Sequence, residues 1–211
     1  MCRSVSHRRH RRGTKCTRLF EFLRLHLNIK DYEKSPVKSG EITLREKVFG
    51  KTGDKPKEYR VKLKVTGDAL VVKLDAKVRG KSLPLFHFLD DTGKPWSKRC
   101  DFVIFNARGD DLFVYCLEFK SESIPHDVQY QLKASADWIR SLHAIVRSYT
   151  TKTTVMRLTR YVVSNTVNLQ GHLDAEEKYL QRDHTIRHYR YADLNGMALA
   201  DLDNSNIEVI R

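Results

Sequence analysis

The chain has 211 residues, 40% of them hydrophobic and 31% charged, with a net charge of +13 and a pI near 9.7. That length supports one domain with a full core, or one domain with an appendage, and no apolar run approaches the length of a transmembrane helix. The excess of 39 Lys and Arg over 26 Asp and Glu points to a polyanionic partner, nucleic acid being the commonest; a membrane surface would need a basic amphipathic helix that is not present.

Residues 1–16 read as a disordered basic arm. Arg3, Arg8, Arg9, Arg11, Arg12 and Lys15 meet no acid before Glu21, a pattern shared by organellar transit segments, nucleic-acid arms and translated upstream remnants. Cys2, His7, His10 and Cys16 match no compact zinc knuckle.

Thr17 to Asn28 places Phe20, Leu23 and Leu27 on one stripe and predicts a helix capped by Thr17. Residues 31–40 read as a linker. Tyr59, Val61, Leu63 and Val65 then alternate with Arg60, Lys62 and Lys64. Beyond Thr66-Gly67-Asp68, Leu70, Val72, Leu74, Ala76 and Val78 alternate with Val71, Lys73, Asp75, Lys77 and Arg79. With a weaker strand at Ile42, Leu44, Glu46 and Val48, this predicts an antiparallel meander with a hairpin at Gly67 and one mostly basic face, which together with the helix makes up 17–81. Arg60, Lys62, Lys64, Lys73, Lys77 and Arg79 on that face suit contact with a phosphate backbone; a solvated sheet face uses the same letters. Leu83 to Leu89 reads as a further strand, the first of a second meander, and Asp90 to Pro95 as a turn.

The segment from Lys98 to Lys120 reads as a hairpin turning at Gly109-Asp110. Its strands, Phe102 to Phe105 and Leu112 to Phe119, are apolar on both faces and so are expected to be covered on both sides. In that register Asp101 faces Glu118, and Lys120 follows about 6–7 Å along the same face. Two adjacent buried carboxylates repel each other unless a cation lies between them, and hard oxygen donors suit Mg²⁺ or Mn²⁺. A lysine beside such an ion is placed to hold a phosphate oxygen or polarise a water. An ion cluster in which Lys120 simply neutralises the two acids is the competing interpretation. The same register puts Cys100 and Cys116 on opposite faces, so no bridge is expected and a reducing, cytoplasmic setting follows.

After a break at 121–125, a helix is predicted from His126 or Asp127 to about Arg147, its packed stripe Val128, Leu132, Ser135, Ile139, Leu142 and Val146. Gln129 and Gln131 stand in its first turns, where one of them can face the acidic pair; Gln131 lies beside the packed Leu132. Val155 to Ser164 predicts a strand, His172 to Gln181 a short helix, His184 to Tyr191 a strand, and Ile207 to Ile210 an edge strand. The basic and aromatic letters of 187–191 also suit base stacking, but a strand with tyrosines packed inward accounts for them.

Asp101, followed by Glu118-Phe119-Lys120 at the end of the next strand and then a long helix and a strand, resembles the PD-(D/E)xK nuclease superfamily over roughly 82–165. Pro95 stands six residues before Asp101 rather than next to it. The resemblance implies an α/β fold with a restriction-endonuclease-like core of helix, antiparallel meander, helix and strand, here with an extra basic β-meander. It divides the chain into 17–81, a catalytic core at 82–170 and an extension at 171–211. It implies a Mg²⁺- or Mn²⁺-dependent nuclease with Asp101 and Glu118 as metal ligands, and Lys120 and Gln131 beside the scissile phosphate. Glu21 is the candidate for an additional acidic ligand, with Glu41 and Asp91 as rivals. DNA is the expected substrate before RNA, in defence or repair, with a homodimer or partner protein where duplex is cut. The alternative is a catalytically inactive nucleic-acid-binding protein on the same core.

Overall fold

A computed structural model describes residues 15–28, 32–48, 57–78, 81–82, 84–121, 123–150, 154–165 and 171–211. The expected arm up to residue 14 and Arg79 lie outside them. Helix α1 (Lys15–His26) opens the fold, starting two residues before the expected cap Thr17; the predicted stripe of Phe20, Leu23 and Leu27 is buried, with Leu19 beside it. Two long strands follow, β1 (Glu33–Val48) and β2 (Lys57–Lys73), then two short paired strands, β3 (Lys77–Val78) and β4 (Lys81–Ser82). The central hairpin is β5 (Phe102–Arg108) and β6 (Asp111–Phe119), and α2 (Val128–Tyr149) leads to β7 (Met156–Ser164). The chain closes with β8 (Tyr179–Leu180), β9 (Asp183–Arg190), the single turn α3 (Tyr191–Leu194) and β10 (Glu208–Ile210).

The protein is mixed α/β. One eight-stranded sheet runs β1-β2-β5-β6-β7-β9-β8, with β10 pairing the start of β7. From β1 to β6 neighbours are antiparallel; β6, β7 and β9 are parallel, as the crossover through α2 requires. No helix among the described residues is long and apolar enough to cross a membrane.

The predicted hairpin at Gly67 is not one. β2 runs straight through it, and the turn letters mark a bulge: Lys38 pairs Asp68 and Gly40 pairs Val65, so Ser39 alone opposes Thr66 and Gly67. Gly67 takes φ +81° and its N–H donates to Ser39 Oγ at 2.9 Å; a Cβ there would lie 3.0 Å from the Ala107 carbonyl oxygen. The expected linker at 31–40 is the partner that makes this possible, being the first half of β1. Its Pro36 is tolerated because β1 is an edge strand.

β2 keeps its alternation through the bulge. Odd-numbered Val61, Leu63, Val65 and Ala69 join one apolar layer, while even-numbered Leu70 and Val72 join the other. The layer of Leu70 and Val72, the first, lies under α1 and α2, with Val103, Phe105, Val114, Cys116 and Val162. The second packs the outer half of the β1–β2 ribbon and the C-terminal Leu194, Leu199 and Leu202 over Ile104, Leu117 and Tyr161. Gly196 N donates to Lys62 O at 2.7 Å and Lys64 N to Met197 O at 2.9 Å, fastening the ribbon there. The central hairpin is thus covered on both faces, as its composition requires.

Three further expectations fail for local reasons. Residues 84–91 form turns and bends rather than a strand, and β2 takes the place of the first meander strand. Residues 172–178 are turns, because Asp174 Oδ1 accepts the N–H groups of Lys178 and Tyr179 at 2.8 and 3.2 Å and Glu177 adopts φ +54°. Cys100 and Cys116 share the helix-side layer as buried free thiols, since the chain bends at Asp101 and breaks the strand alternation before it reaches Cys100.

The bulge gives a direct test. Gly67→Val combines a strained positive φ with the collision at Ala107 and should cost about 1–3 kcal/mol, lowering Tm by roughly 3–10 °C in a thermal melt followed by circular dichroism. Gly109→Val, at a positive φ with open space around it, should cost less.

Candidate functional site

Asp101 sits in the bend before β5, and Glu118 is the penultimate residue of β6. The ladder ends at Phe102↔Leu117, and just beyond it the two acids stand next to each other. Asp101 N donates to Glu118 Oε2 at 3.2 Å, and Phe119 N donates to Asp101 Oδ2 at 2.6 Å. Both side chains are largely removed from solvent, at 8% and 1% exposure.

Lys120 leaves the strand with its N–H on Val163 O at 2.8 Å, which fixes it beside β7. Its Nζ lies 2.5 Å from Glu118 Oε1 and donates to Gln131 Oε1 at 2.9 Å. Gln131 is held in turn: its Nε2 donates to Arg99 O at 3.3 Å. Ser135 Oγ donates to Gln131 O and accepts from Cys100 N, each at 2.8 Å, which locks α2 against the approach to Asp101. Asp101, Glu118, Lys120 and Gln131 therefore form one connected network.

Two residues enter the site that the sequence reading did not assign to it. Carboxylate oxygens of Glu46, Asp75 and Asp101 lie within 4.8 Å of one another. Glu46 arrives from the far half of β1 because the ribbon folds over the sheet. Its cross-strand partner Tyr59 stacks on Tyr191 at 4.6 Å, and Tyr191 meets Phe119 edge-on at 5.4 Å. The signal for Glu46 was present: it occupies the buried parity of Ile42 and Leu44, where an acid has no ordinary structural reason to be. Asp75 carries no comparable signal. Of the acids weighed for this role, Glu21 pairs Arg24 at 2.7 Å and Glu41 pairs Lys62 at 3.0 Å, both on the surface. Asp91 pairs Arg99 at 3.1 Å and lines, with Asp75, Ser97, Arg99, Asp101 and Gln131, a cleft of about 340 Å³.

The expected basic face is divided because β2 is one continuous strand rather than a hairpin. Arg60, Lys62 and Lys64 are exposed on the outside of the ribbon, with Arg60 on Glu58 at 2.6 Å. Lys73 has the opposite parity; it turns inward to Glu46 at 3.0 Å and lies 5.6 Å from the Phe102 ring centroid. Lys77 is exposed beyond the end of β2.

Burial pushes Asp101 well above the ordinary carboxylate range, and the neighbouring Glu118, Glu46 and Asp75 push it further, against the Phe119 N–H. Burial likewise raises Glu118, to about 7, although Lys120 opposes the shift. Asp75 is raised by burial and then by Glu46. Burial alone would lower Lys120, but Glu118 and Asp101 outweigh it and hold the amine protonated above its usual range.

Four carboxylates thus face two ammonium groups, and Asp75 Oδ1 is buried without a hydrogen-bond partner. That excess of hard oxygen donors fits Mg²⁺ or Mn²⁺. Glu46, Asp75 and Asp101 are the residues that would hold it, with Glu118 alongside. No protein-family model, curated protein or solved structure matches this chain.

The raised acids set the sign of a pH dependence. Glu118 titrates near 4.5 in the unfolded chain and about 7 in the folded one. The native state therefore holds its proton more tightly, and stability falls as pH rises through that window. In EDTA, Tm should drop by roughly 2–8 °C between those two pH values, measured by scanning fluorimetry. Asp75→Asn should raise the EDTA Tm at pH 8 and reduce the stabilisation that Mn²⁺ gives the parent protein.

Proposed function

We propose that this protein is a divalent-metal-dependent phosphodiesterase acting on nucleic acid, DNA before RNA, with a PD-(D/E)xK core. The observation that carries the reading is the convergence of Asp101 and Glu118 at the buried rim of the central hairpin, with Lys120 bridging Glu118 and Gln131. The order of elements supports it: α1, then the antiparallel meander β2-β5-β6, then α2, then β7 parallel to β6. The net charge of +13 suits a polyanionic substrate.

The residues divide the work. Asp101, Glu46 and Asp75 supply the oxygen donors. A bound Mg²⁺ or Mn²⁺ supplies Lewis acidity toward a phosphoryl oxygen and makes a coordinated water easier to deprotonate. Lys120 is held protonated by its carboxylate neighbours, so it serves as a donor to a non-bridging phosphate oxygen or to the attacking water, not as a base. Gln131 fixes the direction of that ammonium through its own tie to Arg99. Asp91 and Arg99 at the cleft wall neutralise each other and leave the negative pole at Asp101.

A second reading has its own support. Glu118 already satisfies both oxygens, on Lys120 and on Asp101 N–H, as a self-neutralised cluster in a nucleic-acid-binding protein without hydrolysis would. Cleavage of plasmid and linear DNA in Mg²⁺, Mn²⁺ or EDTA separates the two. Lys120→Ala should lower kcat roughly 100- to 1,000-fold, and Gln131→Ala less, with binding retained in EDTA. Equal cleavage by Lys120→Ala rejects the hydrolase assignment. Binding with no cleavage under any metal selects the second reading.

A further inference from the structure

The elements that border the cleft carry exposed aromatic side chains: Phe88 is 82% exposed, Trp96 39% and Tyr130 46%. Phe88 and Trp96 belong to the irregular segment 84–98 that precedes Asp101, and Tyr130 stands on the first turn of α2. The segment is bound to that turn: Lys98 pairs Asp127, whose carbonyl accepts Tyr130 N at 2.9 Å, and the turn Pro95–Ser97 packs on α2. Ser97 and Arg99, which follow Trp96, line the same cleft as Asp101 and Gln131.

Two of the rings are held in place. Trp96 Nε1 donates to Asp90 O at 2.7 Å, so its one polar atom is satisfied inside the loop and what it offers outward is ring surface. Phe88 leans on Phe86, ring centroids 6.0 Å apart, and Phe86 is packed against the core. Exposed Lys94 flanks Trp96.

We propose that Phe88, Trp96 and Tyr130 form a platform on which the unpaired bases of a single-stranded nucleic acid stack, leading its backbone into the Asp101 cleft. Stacking requires free base faces, which an intact duplex does not present, and it tolerates any sequence. This deepens the hydrolase reading and rests on it: the substrate class becomes single strands, or the unpaired tail of a longer molecule.

The chain has two tryptophans, and the other, Trp138, is buried. Stacking on Trp96 is therefore visible directly. The full chain is titrated in EDTA at low salt with a thymidine dodecamer and with a duplex of the same length. Tryptophan emission and the anisotropy of a labelled strand are read together. The expected result is quenching by the single strand, tighter binding of the single strand than of the duplex, and loss of the quenching in Trp96→Phe. Phe88→Ala and Tyr130→Ala, both at exposed positions, should each weaken single-strand binding roughly 5- to 100-fold. Unchanged emission at saturation, equal affinity for the duplex, or no binding of any nucleic acid overturns the platform; the last outcome leaves the patch to a protein partner. Cleavage by the parent protein separates the two proposals. Quenching in a parent protein that cleaves under no metal defeats the hydrolase reading alone. Cleavage of single strands with unchanged KM in Phe88→Ala and Trp96→Ala defeats the platform alone.

Discussion

The structure turns on two carboxylates buried side by side at the end of a hairpin that is apolar on both faces. Asp101 and Glu118 are brought into register by pairing that begins at Gly109 and runs unbroken to Phe102 and Leu117. Nothing in a folding core favours such a pair; isolated, each would prefer water or a proton. What retains them is a set of opposing partners: the Phe119 amide on one, Lys120 on the other, and an oxygen-rich space between Asp101, Asp75 and Glu46 that suits a doubly charged ion. The rest of the fold supplies those partners from separate directions, α2 through Gln131, β7 through the Lys120 amide, and β1 through Glu46.

How much of this was legible in the residues depends on whether the determining contact is local. The Asp101–Glu118 register was legible because the turn at Gly109-Asp110 fixes the pairing and nothing interrupts it. Gln131 was legible because helical periodicity places it next to a packed Leu132. Glu46 was not assigned, although an acid at the buried parity of Ile42 and Leu44 carried the clue, because its place depends on the ribbon folding back over the sheet. The turn letters at Gly67 misled because a glycine between two alternating runs serves a hairpin or a bulge equally well. Only the partner strand decides, and that partner lay in a lysine- and serine-rich stretch with weak strand propensity.

The continuity of β2 explains why its basic residues do not form one surface. Along one uninterrupted strand even- and odd-numbered side chains point to opposite faces, whereas a hairpin at Gly67 would have turned the lysines of both halves outward together. Lys73 changes from a surface cation into the counter-charge of Glu46, while Arg60, Lys62 and Lys64 stay outside on the ribbon. Reading one strand as two thus misplaces a lysine that belongs to the acidic centre and not to a prospective backbone contact.

The ribbon also ties the centre to the order in which the polypeptide is made. Glu46 reaches Asp101 only when the strand pair lies down over the second apolar layer, and its anchors there are Tyr191, Gly196 and Met197. A chain still emerging from the ribosome has both hairpin acids once Glu118 is made, but Glu46 gains its seat beside them only after 79 further residues, to Met197, have been added. The complete set of carboxylates is thereby withheld from unfinished molecules and assembled as a last act of maturation.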